Sequence, residues 1–161
     1  MINWLTESEA LHYSEPLQKR FGMADDWLGE HRLLRFGSRR IYMANRHLQL
    51  PEFQDDTEIE GIGISLLRVH SQAVPKPTFE GSAYLLQHAS KNVLALTTEE
   101  AELARSATPF SLADERAESL ERGFILMHLH GVSFGCATFK DATVTSYFPK
   151  RYSHYNAMPL T

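Results

Sequence analysis

The chain has 161 residues, which is enough for one ordinary domain or for a small domain with an appendage. Hydrophobic residues make up 43% and charged residues 22%, with a net charge of −4, which is typical of a soluble globular protein. No apolar run approaches the ~20 residues that cross a bilayer. Because an export signal is lacking and Cys136 is the only cysteine, we expect a cytoplasmic protein without disulfides.

The first part of the chain predicts short helices followed by a hairpin. Thr6 and Glu9 form a capping box, and Pro16 is expected to interrupt the helix that they begin. The stretch LLRFGSRRIYMA predicts two short strands. A loop-like segment with an acidic run follows, so we predict a boundary that separates residues 1–58 from residues 59–161.

The second part predicts the order strand, helix, strand, helix and three-stranded meander. Thr78 caps the first helix, and Thr97 begins the second. Two-residue links of the hairpin type, His130-Gly131 and Lys140-Asp141, join the last three strands. The predicted fold class is α+β, with a small N-terminal α/β segment followed by a barrel-like β domain and two packed helices.

Charged residues are unevenly distributed along the chain. Residues 31–47 hold five arginines and no acid, whereas residues 52–60 hold five acids and no base. Residues 99–121 hold seven acids against two bases, and residues 122–161 hold four bases against one acid. This pattern fits either ordinary solvated loops or a surface with separate positive and negative regions, of which the positive one is suited to phosphates.

Sequence motifs for catalysis are lacking. The stretch EGIGIS has Leu66 where a third glycine would complete a dinucleotide-binding fingerprint, and no phosphate-binding loop or nucleophile elbow occurs. Cys136 lies within a predicted strand, which indicates a buried structural thiol. We therefore expect no catalytic residues, no cofactor and no metal.

Histidines offer the main alternative. His128 and His130 lie two apart on a predicted strand and would share a face, so together with His154 they could form a metal-dependent hydrolase site. The spacing of known zinc motifs is lacking, and we favour the interpretation that both histidines line the solvent face of a half-buried strand.

Short glycine, proline and lysine landmarks resemble those of the PUA domain. The chain is most similar to the pre-PUA and PUA-like module at the C-terminus of Fmu/Sun-type RNA cytosine-5 methyltransferases. The landmarks are Gly123-Phe124-Ile125, Gly131, Gly135-Cys136, Lys140-Asp141 and Pro149-Lys150, with LLRV, KPT and KNVLALTTEEA upstream. Ala142 departs from the pattern, since glycine is common there, and these residues hold neither the cofactor-binding glycine loop nor the Pro-Cys catalytic pair of a methyltransferase.

The resemblance implies a PUA-like pseudo-β-barrel that grips structured RNA in a groove beside its first helix and last strands. It implies ribosomal or transfer RNA as the partner, a separate RNA-modifying enzyme as a possible second partner, and neither DNA nor a membrane. Cations from distant parts of the chain should then gather on one side of the sheet. The candidate RNA-binding residues are Arg39, Arg40, Arg68, Lys76, Lys140, Tyr147, Lys150, Arg151 and Tyr152.

A protein-interaction subunit of an RNA-processing or ribosome-assembly complex is the second hypothesis. In that case the acidic segments 52–60 and 114–121 would dock on a basic partner, and the barrel would serve only as a scaffold.

Overall fold

The computed structural model of the chain describes residues 2–49, 61–69 and 74–153. In these residues, ten strands and five helices form an α+β fold with two five-stranded sheets. The α+β class predicted from the sequence is therefore confirmed.

The first sheet is an antiparallel meander in which neighbours in the chain are also neighbours in the sheet. Its strands are β1 (Ile2–Trp4), β2 (His31–Phe36), β3 (Arg40–Asn45), β4 (Ile64–Arg68) and β5 (Lys76–Pro77). Because β4 pairs with β3, the sheet contains strands from both sides of residue 58, where the boundary was predicted.

The second sheet has the order β6-β8-β9-β10-β7. Its strands are β6 (Val93–Ala95), β7 (Phe110–Ser111), β8 (Gly123–Leu129), β9 (Val132–Lys140) and β10 (Thr143–Ser146). The pairing of β6 with β8 is parallel, and the other pairings are antiparallel. The predicted three-stranded meander is confirmed as β8, β9 and β10.

Local capping signals determine where the longer helices begin. The helices are α1 (Glu7–Phe21), α2 (Phe79–Leu86), α3 (Thr98–Arg105), α4 (Asp114–Ala117) and α5 (Lys150–Ser153). The capping boxes at Thr6 and Thr97 and the cap at Thr78 are all present, as predicted. No helix in the described part of the chain has the length and apolar character needed to cross a bilayer.

Helix α1 continues through Pro16, so the prediction that proline would interrupt it was wrong. An interior proline removes one backbone hydrogen bond and costs about 3 kcal/mol. Leu17 and Phe21, which follow it, are fully buried, and Gly22 ends the helix in the left-handed conformation. We infer that the packing of this apolar face outweighs the cost of the proline.

The two hairpin turns of the second sheet both have positive φ at each central residue. His130-Gly131 forms the first turn, as predicted, with φ values of 50° and 83°. The second turn is Asp141-Ala142, with φ values of 51° and 59°, because Lys140 already pairs with Thr143. The prediction of Lys140-Asp141 was therefore wrong by one residue.

Ala142 occupies a left-handed conformation that suits glycine better than alanine. We expect Ala142→Gly to raise the free energy of unfolding by about 1 kcal/mol, because an L-residue there carries a steric cost of about 1–2 kcal/mol. Urea unfolding of the two proteins checks this. A loss of stability in the glycine variant would contradict the predicted turn strain.

One buried cluster connects the N-terminal residues to both sheets. Leu17 and Phe21 of α1 pack in the same cluster as Leu66 and Leu67 of β4 and Leu126 of β8. A second cluster lies on the other side of β8 and includes residues of α3, β9 and β10. The core thus fixes α1, β4 and β8 relative to one another, and these elements position the site described next.

Candidate functional site

A cleft of about 520 Å³ lies where β4, β5, the first turn of α2 and the segment after β10 meet. Five of its lining residues are basic, and one is acidic. The basic residues are Arg40, Arg68, Lys76, Lys150 and Arg151, and the acidic one is Glu80. We call this site the basic cleft.

Three of the cations come from adjacent strands at matching positions. Arg40 of β3 is the cross-strand partner of Arg68 in β4, and Arg68 is in turn the partner of Lys76 in β5. Like charges directly opposite each other destabilise a sheet. A bound anion would offset the repulsion within this row of three cations.

Lys76 is the most enclosed of these cations. Its Nζ lies 3.1 Å from the centroid of the Tyr147 ring, so one face of that ring is already covered by an ammonium group. Burial lowers the pKa of Lys76, and the positive charge of Arg68 lowers it further, while Cys136 acts in the opposite direction. An anion in the basic cleft would favour the charged form of this lysine.

Lys150 and Arg151 begin the short helix α5, whereas the sequence placed them at the end of the final strand. That prediction was wrong: β10 ends at Ser146, and the Tyr152 N–H donates to the carbonyl of Pro149 at 2.9 Å. Proline is well suited to the start of a helix, which explains the change of structure at this point.

Arg151 is the one cation of the basic cleft that pairs with an acid in the described part of the chain. It donates to Glu80 of α2 at 3.0 Å, and both side chains are about half exposed. Its guanidinium also lies 4.8 Å from the Tyr152 ring, which packs against Phe79. Exposed ion pairs are worth at most about 1 kcal/mol, so a phosphate could displace this carboxylate.

Neutralising Glu80 should strengthen anion binding. We expect Glu80→Gln to bind a polyanion up to about 5-fold more tightly, because an exposed carboxylate that competes for Arg151 contributes about 0–1 kcal/mol. Glu30→Gln is the matched control, since Glu30 pairs with Arg46 in another part of the protein. Fluorescence anisotropy with a labelled RNA hairpin measures both variants, and equal affinities for the two would contradict a role of Glu80 in the cleft.

Cys136 and Ser65 are polar residues of the lining of the basic cleft. The Cys136 Sγ donates to the Pro77 carbonyl at 3.2 Å, and burial raises the pKa of this thiol to about 11. The predicted buried structural thiol is therefore confirmed. Beside it, the buried hydroxyl oxygen of Ser65 has no hydrogen-bond partner among the described residues.

Three of the candidate RNA-binding residues do not line the basic cleft. Arg39 lies in the turn before β3, where its carbonyl accepts from the Val69 N–H, and its side chain is exposed. Lys140 ends β9 and is also exposed. Tyr152 packs on Phe79, as described above, and Phe148 packs against the second core cluster, as the preference for core filling predicted.

The histidines are arranged differently from the prediction. His130 belongs to the turn after β8, with a φ of 50°, so it does not share a strand face with His128. The strand also lacks the predicted solvent face, because Phe124 and Leu126 enter one core cluster while Ile125 enters the other.

His154 lies outside the described residues, and among those that are described no three potential metal ligands come together. The acidic segment 52–60 also lies outside them. In the segment 114–121, Glu121 forms ion pairs with Arg20 and Lys91.

The sequence did not reveal two contributors to the basic cleft. The sequence predicted that Glu80 lies in the first turn of a helix. It did not predict the ion pair of Glu80 with Arg151, which is 71 positions away. Ser65 carries no sequence signal at all. Comparison of the chain with models of known protein families finds no match, and comparison with curated proteins finds none either.

Proposed function

We propose that the protein binds structured RNA through the basic cleft, as an accessory protein in the modification of ribosomal or transfer RNA or in ribosome biogenesis. In this proposal it is not an enzyme and works in the cytoplasm beside a separate RNA-modifying enzyme. The observation that carries the proposal is the row of Arg40, Arg68 and Lys76 on three adjacent strands, with Lys150 lining the same cleft.

The position of the basic cleft supports a PUA-like architecture. The resemblance seen in the sequence implies a groove beside the first helix of the module and its last strands. The basic cleft is lined by the first turn of α2 and by Tyr147, Pro149 and Lys150, which follow β10. We therefore propose that residues 59–161 correspond to a PUA-like domain and residues 1–58 to the segment that precedes it.

The chemistry of the cleft suits a phosphodiester backbone more than a base. Double-helical RNA is recognised mainly through its shape, phosphates and 2′-hydroxyl groups. Arg68, Lys76 and Lys150 form no ion pair within the described residues, so they are available to phosphates. The ammonium of Lys76 covers one face of Tyr147, which leaves that face closed to base stacking.

Replacing two of these cations tests the proposal. We expect Arg68→Ala/Lys150→Ala to weaken binding of an RNA hairpin by about 100-fold or more, since hydrogen bonds to charged groups contribute about 1.5–3 kcal/mol each. The plot of the logarithm of the binding constant against the logarithm of salt concentration has a negative slope. Its steepness should decrease by about 2, one for each lost phosphate contact. Anisotropy titrations at several salt concentrations measure both quantities.

Arg46→Ala is the control for the loss of a positive charge. Arg46 follows the opposite end of β3 from Arg40, about 20 Å away at the rise of a strand, and pairs with Glu30. This variant should bind the RNA hairpin with the same affinity as the unchanged protein. Absence of RNA binding by the unchanged protein at low salt, or an equal loss in the control, would refute the proposed function.

A further inference from the structure

In the described part of the chain, four strands form the edges of the two sheets: β1, β5, β6 and β7. The outward side of an edge strand presents backbone N–H and C=O groups that can pair with another extended chain, and native proteins block such edges in several ways. At β5, β6 and β7 a proline or an arginine blocks the edge. Strand β1 differs from these three.

Prolines block the edges at β5 and β7. The Thr78 N–H, next to the end of β5, donates to the Leu66 carbonyl at 3.0 Å. In an antiparallel pair, residues that bond to the neighbouring strand alternate with residues that face outward, so Pro77 is an outward residue of β5 and has no N–H to offer. Pro109 comes directly before β7 and likewise lacks an N–H.

Arg116 blocks the edge at β6. The Leu96 N–H donates to the His128 carbonyl of β8 at 2.8 Å, so the preceding residue, Ala95, faces outward. The guanidinium of Arg116 donates to the Ala95 carbonyl at 2.6 Å. An ion pair with Glu100, also at 2.6 Å, holds this arginine in place. The outward carbonyl of β6 is therefore already occupied.

Strand β1 presents its outward backbone groups without such a block. The Leu5 N–H donates to the Leu33 carbonyl at 3.0 Å, so the alternation along β1 makes Asn3 face β2 and makes Ile2 and Trp4 face outward. Among the residues that the structure describes, none bonds to the backbone N–H or C=O groups of Ile2 and Trp4. The ligand that matches two outward N–H and two outward C=O groups is an extended peptide chain.

Arg32 indicates the charge of that peptide. Its guanidinium lies 4.9 Å from the centroid of the Trp4 ring, so this residue of β2 reaches the edge of the sheet. Arg32 is exposed and forms no ion pair within the described residues. Residues 31–47 contain no acid. Ile2 and Leu34 add apolar surface on the same side of the sheet.

We propose that β1 accepts an extended, acidic segment of a partner protein as a further strand of the first sheet. Backbone hydrogen bonds to Ile2 and Trp4 supply affinity, and an acidic side chain that pairs with Arg32 supplies specificity, as in other cases of strand addition. A second copy of the chain fits this edge less well, because two paired β1 strands would bring two Arg32 guanidiniums onto one face.

This docking edge is independent of the proposed RNA site. Strands β1 and β5 are the opposite edges of the first sheet, and the basic cleft lies at β4 and β5. A partner strand on β1 therefore leaves the cleft open. The inference goes beyond the proposed function and does not rest on it.

Anisotropy titrations with labelled peptides test the inference. The probes are an eight-residue peptide of alternating valine and glutamate and a second of alternating valine and lysine, and we expect the unchanged protein to bind the first more tightly. Ile2→Pro removes one outward N–H and should weaken binding about 2- to 10-fold, since a hydrogen bond contributes about 0.5–1.5 kcal/mol. Ile2→Val keeps this N–H and is the matched control. Arg32→Glu should reverse the preference between the two peptides.

Amide hydrogen exchange of the unchanged protein locates the bound peptide. The Trp4 N–H should exchange more slowly when the glutamate peptide is present, whereas the Asn3 N–H, which already faces β2, should change little. Equal affinities for the two peptides, or equal binding by Ile2→Pro and Ile2→Val, would overturn the proposal.

Two further measurements separate this proposal from its neighbours. Light scattering that shows a dimer of the unchanged protein, lost in Ile2→Pro, would assign the edge to a second copy and overturn the acidic partner. Ile2→Pro should bind the RNA hairpin with the same affinity as the unchanged protein, and an equal loss of RNA binding would overturn the independence of the two surfaces. Failure of the unchanged protein to bind RNA would refute the proposed function alone.

Discussion

Replacement of Gly81 by alanine should destabilise the protein by about 3 kcal/mol, near the upper end of the cost of overpacking a core. Gly81 lies in the first turns of α2 and packs directly on the backbone of β4. A Cβ at this position would overlap the carbonyl oxygen of Leu66 and lie 2.8 Å from its carbonyl carbon. The rigid backbone of a central strand cannot move aside as the end of a side chain would.

Helix propensity alone predicts that Gly81→Ala stabilises the protein. Alanine is favoured over glycine by about 1 kcal/mol in a helix interior. Ala83→Gly is the reciprocal control, because Ala83 is exposed on the same helix and should lose only this propensity. Urea unfolding distinguishes the two effects, and a Gly81→Ala variant as stable as the unchanged protein would contradict the close packing of α2 on β4.

The basic cleft should also be damaged by Gly81→Ala. Thr78, Phe79 and Glu80 precede Gly81 and line the cleft, and the Thr78 N–H donates to the Leu66 carbonyl at 3.0 Å. A displaced α2 would move these residues away from Lys76 and Arg68. The close approach of helix and strand therefore serves both stability and the shape of the site.

Replacement of Asn92 by alanine should cost about 3 kcal/mol, because it would leave two partly buried backbone groups without partners at about 1–3 kcal/mol each. Asn92 is 3% exposed. Its Nδ2 donates to the Arg20 carbonyl at 2.8 Å, and its Oδ1 accepts from the Glu121 N–H at 2.8 Å. These bonds tie the end of α1 to the loop that leads into β8.

Asn92→Gly separates the hydrogen bonds from the backbone conformation. The φ of Asn92 is 55°, which glycine adopts freely and alanine adopts only at a steric cost. We expect the glycine variant to be less damaging than the alanine variant by up to about 1 kcal/mol, while both lose the two hydrogen bonds. Urea unfolding of the three proteins measures these differences, and near-native stability of both variants would contradict the role assigned to the amide.

Local signals in the sequence predicted the starts of α1, α2 and α3, since a cap needs only residues three positions apart. It was harder to predict how far a helix continues and where a strand gives way to a turn. Pro16 is unfavourable in a helix, but the burial of Leu17 and Phe21 against β4 and β8 depends on tertiary structure, which no local pattern reveals. The turn at Asp141-Ala142 likewise follows from the pairing of Lys140 with Thr143.

The cations of the candidate site were visible in the sequence, but their arrangement was not. That Arg40 lies beside Arg68 depends on the register of β3 and β4, and the two-residue strand β5 is too short to produce a recognisable pattern.

An NMR titration of the ¹⁵N-labelled protein with an RNA hairpin tests most directly whether the basic cleft is the RNA site. We predict that the amide signals of Arg68, Lys76, Glu80 and Lys150 shift together at low salt and return as salt is added. Shifts confined to β6 or to residues 44–49, or no shifts at any salt concentration, would contradict RNA binding by this cleft.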